Sequence, residues 1–450
     1  MQLSSQLILS LEQAIQNHQI EEIKRLITQV NHADLADLLA NLSFDQQLKL
    51  IEYLPHAAYV FEFLSLTEQL EIALRLPKAQ LVQLISDMHS DDSTDLFKVL
   101  PLKLQHEVYT QLNTEKRQQI KQLAQYAEQS AGAIMSSDFV TLSPDLNMTQ
   151  AIEQLRQQAS DRETLYLIYI TDEALKLLGV VSLREIILAE AHKTIAEIMS
   201  TDLVVGYVYD DQETIAQKLS HYDFIALPII DDAQHLQGIV TYDDAMDVVQ
   251  EEMIEDFLKS SAVSSSPNFS LKTAPILFLY KKRVFWLVIL VFGSLLSGIG
   301  IAHFEDIIAA NIVLVFFLPL LVGSGGNAGS QSATLMVRAL AMGDVELKDW
   351  LKLIGRETLV ALSLGGTMAF AVSILGYIRG DAMVALVLAL SMMGIVLLGC
   401  LIGMSLPFIL NRLKLDPASA SAPLVTSICD ATGVIVYLFI ASIFLGQVVA

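Results

Sequence analysis

The chain has 450 residues, a formal net charge of −22, 53% apolar residues and a mean hydropathy of +0.48. That charge excludes a nucleic-acid binder, which needs a basic face for phosphates, and that hydropathy excludes a wholly soluble protein. Of the 50 acidic groups 41, and of the 28 basic groups 21, precede residue 284, so an acidic body with cations as its expected partners is joined to a membrane domain.

Residues 1–10 lack the basic start and cleavage pattern of a signal peptide, and Cys400 and Cys429 both lie in apolar stretches, as suits a reducing compartment. The acidic body is therefore expected in the cytoplasm. Leucines recurring at three- and four-residue spacing predict helix upon helix over residues 1–130. Asp37-Leu38-Leu39 echoes in Asp95-Leu96-Phe97, as stacked helical pairs of an all-α superhelical N-domain would produce. Asp87, Asp91, Asp92 and Asp95 cluster in this part. Acidic residues at a helix start complement its dipole; the other reading is a divalent-cation site shared with a neighbouring domain.

Residues 131–249 contain a repeat. Ile134, Met135, Ser136 and Asp138 recur as Ile198, Met199, Ser200 and Asp202, and Gly179-Val180-Val181-Ser182 matches Gly238-Ile239-Val240-Thr241. Asp172-Glu173 and Asp231-Asp232 supply the turns. This β-α-β-β-α unit, twice over, resembles a tandem pair of CBS domains, and the resemblance implies a regulatory α/β module rather than an enzyme.

A helix is predicted from near Tyr242 towards Ser260, with the connecting segment and its linker assigned to residues 250–270. It carries Asp243, Asp244, Asp247, Glu251, Glu252, Glu255 and Asp256 against one late base, Lys259. Like charges at three- and four-residue spacing repel by a few tenths of a kcal/mol per pair. Two carboxylates about 5 Å apart at an effective dielectric of about 20 repel by roughly 3 kcal/mol. The helix is either a solvated acidic face or a switch that divalent cations hold against its neighbours.

Five apolar stretches follow within residues 271–450, at 284–302, 307–337, 358–378, 382–411 and 423–450. Each is long enough to cross about 30 Å of hydrocarbon. Lys281, Lys282 and Arg283, then Arg338, Lys348, Lys352 and Arg356, then Arg412 and Lys414 flank them on one side, against Arg379 on the other. The positive-inside rule thus puts the N-terminal body in the cytoplasm and, after an odd number of spans, the C-terminus outside.

Two spans depart from plain apolar composition. The second holds Pro319 and the run Gly323 to Gln331, including Gly325, Gly326 and Asn327. Small residues serve close helix packing; the amides favour a locally loosened helix whose backbone faces a water-filled path. The last span holds Asp430, about two turns in and without a lysine or arginine in the same span. A carboxylate at that depth is a functional-site candidate by default, either lining a cation path or held neutral by Thr426 or Thr432.

The order of these parts, with Pro423-Leu424-Val425-Thr426 leading to Asp430 and Gly325-Gly326-Asn327-Ala328-Gly329 in the second span, resembles the MgtE family of magnesium channels over nearly the whole chain. The resemblance implies a multi-domain homodimer in the plasma (inner) membrane: a helical N-domain, a CBS pair, a plug helix and a five-helix transmembrane domain. Its pore Mg²⁺ site would involve Asp430, Asn327, Gly326, Gly325 and Thr426. Asp91 and Asp95, Glu213 and Asp223, Asp244, Asp247, Glu252, Glu255 and Asp256, and Asp416 stand where the family places intracellular Mg²⁺ ligands. Ions bound there would close the channel; moving a two-state gate from 1:99 to 99:1 needs about 5.5 kcal/mol of differential binding.

Cys429 stands where the family often has threonine, and Ser330 where asparagine often precedes Gln331, which bears on metal preference and permeation rate. The CBS pair of some relatives binds ATP; Arg184, Glu185 and Phe224 are the residues available to it here, while Leu167 occupies the place of an expected stacking tyrosine. Two other readings stay open, a non-conducting Mg²⁺ sensor and a proton-coupled transporter using Asp430. An intramembrane metalloprotease is set aside, because His106-Glu107 has no second histidine in register.

Overall fold

The computed structural model describes residues 2–17, 19–158, 162–263, 275–341, 344–419 and 422–445. The chain divides into two compact units, Met1–Glu252 and Met253–Ala450.

In the first unit ten helices run from α1 (Gln2–Gln16) to α10 (Thr114–Leu123) among the described residues. Their starts follow local capping chemistry. Asn31 accepts from the Ala33 N–H, and Ser65 and Glu68 form a reciprocal capping box. One continuous leucine- and isoleucine-rich core, including Leu35, Leu39, Phe61, Leu81, Ile85 and Leu96, joins the helices. The eighth helix, α8 (Ser90–Val99), carries Asp91 and Asp92 in its first turn.

The repeat folds as two matching units. The first comprises α11 (Ala131–Ile134), β1 (Thr141–Leu142), α12 (Met148–Gln158), β2 (Leu167–Thr171), β3 (Leu177–Ser182) and α13 (Leu183–Leu188). The second comprises α14 (Ile195–Ile198), β4 (Gly206–Tyr207), α15 (Gln212–Tyr222), β5 (Ala226–Ile230), β6 (Leu236–Thr241) and α16 (Tyr242–Ser260). In each sheet the first pair is parallel and the second antiparallel, in identical register: Ile170 lies opposite Gly179 as Ile229 does opposite Gly238.

The two units are interlaced. Ser136, in the opening motif of the first, exchanges backbone hydrogen bonds of 2.8 and 2.9 Å with Ile239 in the second, and Ser200 does the same with Val180 in the first. A Cβ on Gly238 would collide with Met135, and one on Gly179 with Met199. The recurring glycines and methionines are thus two halves of one pseudo-symmetric contact. The acidic helix α16 begins at Tyr242 and ends at Ser260 as expected, so a domain limit at residue 249 falls inside a continuous helix. Residues 264–270 of the expected linker lie outside the described residues.

The second unit contains five helices long and apolar enough to cross a membrane. These are α17 (Ile276–His303), α19 (Val313–Ala341), α20 (Trp350–Arg379), α21 (Ala382–Arg412) and α22 (Ala422–Leu445), with a short α18 (Glu305–Ala310) between the first two. Residues 307–310, expected at the start of the second span, belong to that short helix, and the chain leaves helical geometry at Asn311. The end of the last expected span, 446–450, is outside the described residues.

The expectation of a loosened second span is corrected. The chain from Val313 to Ala341 is one helix through Pro319 and the whole glycine run. The glycines permit close packing instead: a Cβ on Gly399 or Gly403 of α21 would strike the Gly325 or Gly329 carbonyl of α19. This is a small-xxx-small contact, in which missing side chains let two backbones touch. Tyr437 of α22 donates a 3.0 Å hydrogen bond to the Leu314 carbonyl at the start of α19. Helices α19, α21 and α22 share the core of Leu321, Ile395, Val396, Cys400 and Leu438.

Candidate functional site

Two sites arise from this fold. The first gathers carboxylates from distant parts of the first unit. Asp91 and Asp92 come from α8, Glu62 from the turn that ends a preceding helix, Glu163 from the segment before β2, and Asp244 from the first turn of α16. Capping-type contacts dock α8 on the opening CBS motif: the Ser90 N–H donates to Asp138 Oδ2 at 2.9 Å, and the Ser137 N–H donates to Ser90 Oγ at 2.7 Å. Glu163 Oε2 accepts from Ser136 Oγ at 3.1 Å, and Asp244 accepts from Thr241 Oγ1.

Burial and neighbouring acids raise Asp91, Asp92, Glu163 and Asp244 in this cage. Burial, then Asp92, Asp244 and Glu163, holds Asp91 well above the ordinary carboxylate range. Burial, then Glu62 and Asp244, pushes Asp92 up to about 8 despite His89. Glu163 rises to about 7 and Asp244 to about 6, burial leading in both. Two cations answer them. Burial disfavours the His89 imidazolium, but its bond to Glu62 and the nearby Glu163 and Asp92 outweigh that and raise it to about 9. Lys116 is lowered by burial and donates its Nζ to the Met88 carbonyl at 2.5 Å. Asp91 Oδ1 is buried with no hydrogen-bond partner. A divalent cation supplies positive charge and a partner for the orphaned oxygen, so the residues fit one.

The other expected intracellular ligands are placed differently. Asp95 pairs with Lys98 at 3.1 Å. Asp247 lies on the outer face of α16, where partial desolvation of its carboxyl, then Asp243, raises it. Glu252 accepts from Gln212 Nε2 at 2.8 Å. Glu213 lies in the first turn of α15 and Asp223 is its left-handed C-cap, with φ of 53°. Ten residues at about 1.5 Å rise separate them by about 15 Å, so one ion cannot bridge the two within a chain. Glu255 and Asp416 meet in the second unit through Lys259, whose Nζ lies 2.6 and 2.5 Å from their oxygens. Asp256 sits in the same turn as Glu255.

At the CBS pair, Glu185 is engaged in a capping box with Ser182, with bonds of 2.7 and 2.8 Å. Arg184 is exposed, and Phe224 stacks on Tyr222. Leu167 pairs with Ser182 across the sheet. Among the described residues no hydrogen bond or ion pair joins Phe224 to Arg184 or Glu185.

The second site lies in the membrane helices. Asp430 Oδ1 is buried in α22 without a hydrogen-bond partner. Neither threonine takes it: Thr432 Oγ1 donates to the Ile428 and Cys429 carbonyls, and Thr426 Oγ1 lies 3.1 Å from Ser330 Oγ. Gly326 faces it, since a Cβ there would stand 3.3 Å from Asp430 Oδ1 and 2.9 Å from Thr426 Cγ2. Gly325 instead turns to Ile395 on α21. Asn327 and Gln331, one turn apart on α19, are exposed. Amides presented to lipid are unfavourable, so this face suits water or protein.

Sequence reasoning missed Glu62, His89 and Glu163 as cage members and named Asp92 only within a cluster. The acidic pairs at 91–92 and 243–244 are the local signals; in the sequence Glu62 lies among apolar residues and Glu163 beside Asp161 and Arg162, and both reach the site only through folding.

Comparison with known proteins decides the family. Residues 318–440 match a divalent cation transporter family, MgtE, residues 30–129 the MgtE intracellular N domain, and 131–192 and 195–251 the CBS domain. The chain is 35% identical over 453 residues to the magnesium transporter MgtE of Thermus thermophilus, covering 99% of this chain and 100% of that one. It belongs to the MgtE family.

The MgtE of Bacillus subtilis is 28% identical over 443 residues, 98% of each chain. The first unit resembles the soluble part of a magnesium transporter, 29% identical with a TM-score of 0.53 over 55% of this chain and 99% of that one. It likewise resembles the cytosolic domain of the Mg²⁺ channel MgtE crystallised with ATP, 32% identical with a TM-score of 0.51 over 54% and 99%. As an MgtE-family protein the chain is a multi-pass membrane transporter of Mg²⁺ with an intracellular N domain, and not an enzyme.

Proposed function

We propose that the chain is a Mg²⁺ channel that mediates uptake and closes when intracellular Mg²⁺ fills its acidic sites. A homodimer places two copies of Asp430 about a two-fold axis, with α19 and α22 lining the path and the C-terminus outside. A pair of carboxylates there repels itself when alone and is neutralised by one dication. Mg²⁺ sheds water reluctantly, so Asp430, with Thr426 and the Asn327 amide nearby, receives it as a hydrate, and passage needs only binding and release. Gly326 keeps the space beside Asp430 open, whereas Gly325 contributes by packing. The observation that carries this reading is the buried, unpartnered Asp430 Oδ1 beside a glycine.

Regulation follows from the cage. Mg²⁺ held by Asp91 and Asp244, with Glu163 near, ties α8 to α16 and so fixes the helix that leads to the membrane. Asp247, Glu252, Glu255, Asp256 and Asp416 along that path, with Asp95, Glu213 and Asp223, provide further weak sites whose sum sets the gate. The ATP seen with a related cytosolic domain extends to this CBS pair as a nucleotide site drawing on Arg184.

The test is Mg²⁺ current through the purified protein in a voltage-clamped bilayer at micromolar and millimolar cytoplasmic Mg²⁺. Current that falls as cytoplasmic Mg²⁺ rises and vanishes in Asp430→Ala supports pore and gate. Absence of current in a folded dimer supports a sensor, and flux coupled to pH at fixed voltage supports a proton-coupled transporter.

A further inference from the structure

We propose that Glu62, His89 and Asp92 form a site for a first-row transition-metal dication, selected through the imidazole and distinct in chemistry from the all-oxygen Mg²⁺ ligands beside it. One ligand atom from each of the three lies within 4.8 Å of the others. His89 Nδ1 is 3.3 Å from Glu62 Oε1. Neighbouring ligands of an octahedral ion bound at about 2.1 Å are about 3 Å apart and opposite ones about 4.2 Å, so the three atoms close on an ion with small side-chain adjustments.

The surroundings hold these ligands in place. Glu62 Oε1 also accepts the His89 backbone N–H at 2.8 Å, tying the carboxylate to the residue whose ring it faces. The Tyr59 ring stands 5.8 Å from the imidazole at 40°. These contacts hold the carboxylate and the imidazole side by side.

A second observation beside the triad points the same way. Asp91 Oδ1, one residue from Asp92 and electrostatically coupled to it, is buried without a partner. Lys116, close by, spends its bond on the Met88 carbonyl. The nitrogen decides the class of ion. Mg²⁺ takes oxygen ligands, whereas Mn²⁺, Co²⁺, Ni²⁺ and Zn²⁺ accept imidazole with rising affinity up to Ni²⁺. The competing account is that His89 stays an imidazolium and serves as counter-charge.

The inference concerns ligands rather than flux, so it stands or falls apart from the channel reading. Mn²⁺ is added to the full-length protein in excess Mg²⁺, and pulsed electron paramagnetic resonance reads nitrogen bound to the ion. Nitrogen coupling is expected in the wild type, shifting when histidine is labelled with ¹⁵N. His89→Gln is expected to lose the coupling and to retain Mn²⁺ about tenfold or more weakly, while His106→Gln keeps both. Bound Mn²⁺ without nitrogen coupling, coupling that survives His89→Gln, or no Mn²⁺ retained against Mg²⁺ each overturns the site. The labelled wild type decides the nitrogen's origin even if His89→Gln fails to fold.

Discussion

The cage of the first unit and the carboxylate of the membrane unit handle buried negative charge in opposite ways. In the cage, Asp91, Asp92, Glu163 and Asp244 crowd together, each raised by burial and by neighbouring acids, with His89 and Lys116 beside them. Asp430 stands alone in its helix, with an orphaned oxygen and a glycine opposite. Crowding with internal counter-charges makes a site whose occupancy changes how segments hold together, as a regulatory ion requires. On the proposed reading, a solitary carboxylate in an apolar layer serves an ion that passes.

The sharpest way to break this contrast is to remove the solitary charge. Asp430→Ala should cut Mg²⁺ flux into proteoliposomes by about 100-fold or more, since no other acid replaces it within the last span; the fold, read by elution volume and melting, should persist. Neutralising the crowded charges should leave conduction intact. The double variant Asp91→Asn/Asp244→Asn is expected to raise the Mg²⁺ concentration for half-closure about tenfold, because breaking up a multi-ligand set costs on the order of 1.4 kcal/mol per decade of affinity. Equal closure in this variant and the wild type would remove the cage from the gate.

Packing offers the next test. Gly403→Val would drive a side chain into the Gly329 carbonyl, overpacking by about 1–3 kcal/mol. A lowered melting temperature in detergent, with little change in cytoplasmic Mg²⁺ binding, is the expected result.

The cage should also show itself in pH dependence. A carboxyl with a raised folded pKa binds more protons in the native state than in the unfolded one, so its contribution is lost as pH rises through the folded value. Asp244, Glu163 and Asp92, at about 6, 7 and 8, therefore make the metal-free soluble unit lose stability from about pH 4 to pH 8. His89, raised from 6.5 to about 9, extends the decline. Thermal melts of residues 1–263 should show that fall, and millimolar Mg²⁺ should flatten it by replacing the protons. Stability rising with pH without Mg²⁺ would contradict the cage.

The smallest expected effect is at Lys259. Its ammonium lies between Glu255 and Asp416, where on the proposed reading a dication would compete with it. Lys259→Met should shift half-closure to a few-fold lower Mg²⁺, measured by current; a shift to higher Mg²⁺ would instead make the lysine part of the closed state.

The sequence by itself determined the division of labour in this protein. Segregated charge and five long apolar runs require a cytoplasmic body and a membrane domain, because lipid admits neither exposed charge nor unpaired backbone. The repeat of Ile-Met-Ser and Gly-Val-Val required two like units, and alternating acids with one late base marked out α16. Asp430 was legible because a carboxylate among apolar residues is conspicuous along one chain.

Tertiary structure alone decided which acids meet. Glu62, Asp92, Glu163 and Asp244 lie up to 182 positions apart, and no local pattern records that helix packing and the interlaced CBS units bring them together. It also decided that the glycine run packs a continuous helix against α21, because a glycine's use depends on what stands opposite it. Sequence reports what each side chain is able to do, but charge repulsion, close contact and ion binding are properties of pairs and larger sets, and those sets exist only once the chain has folded.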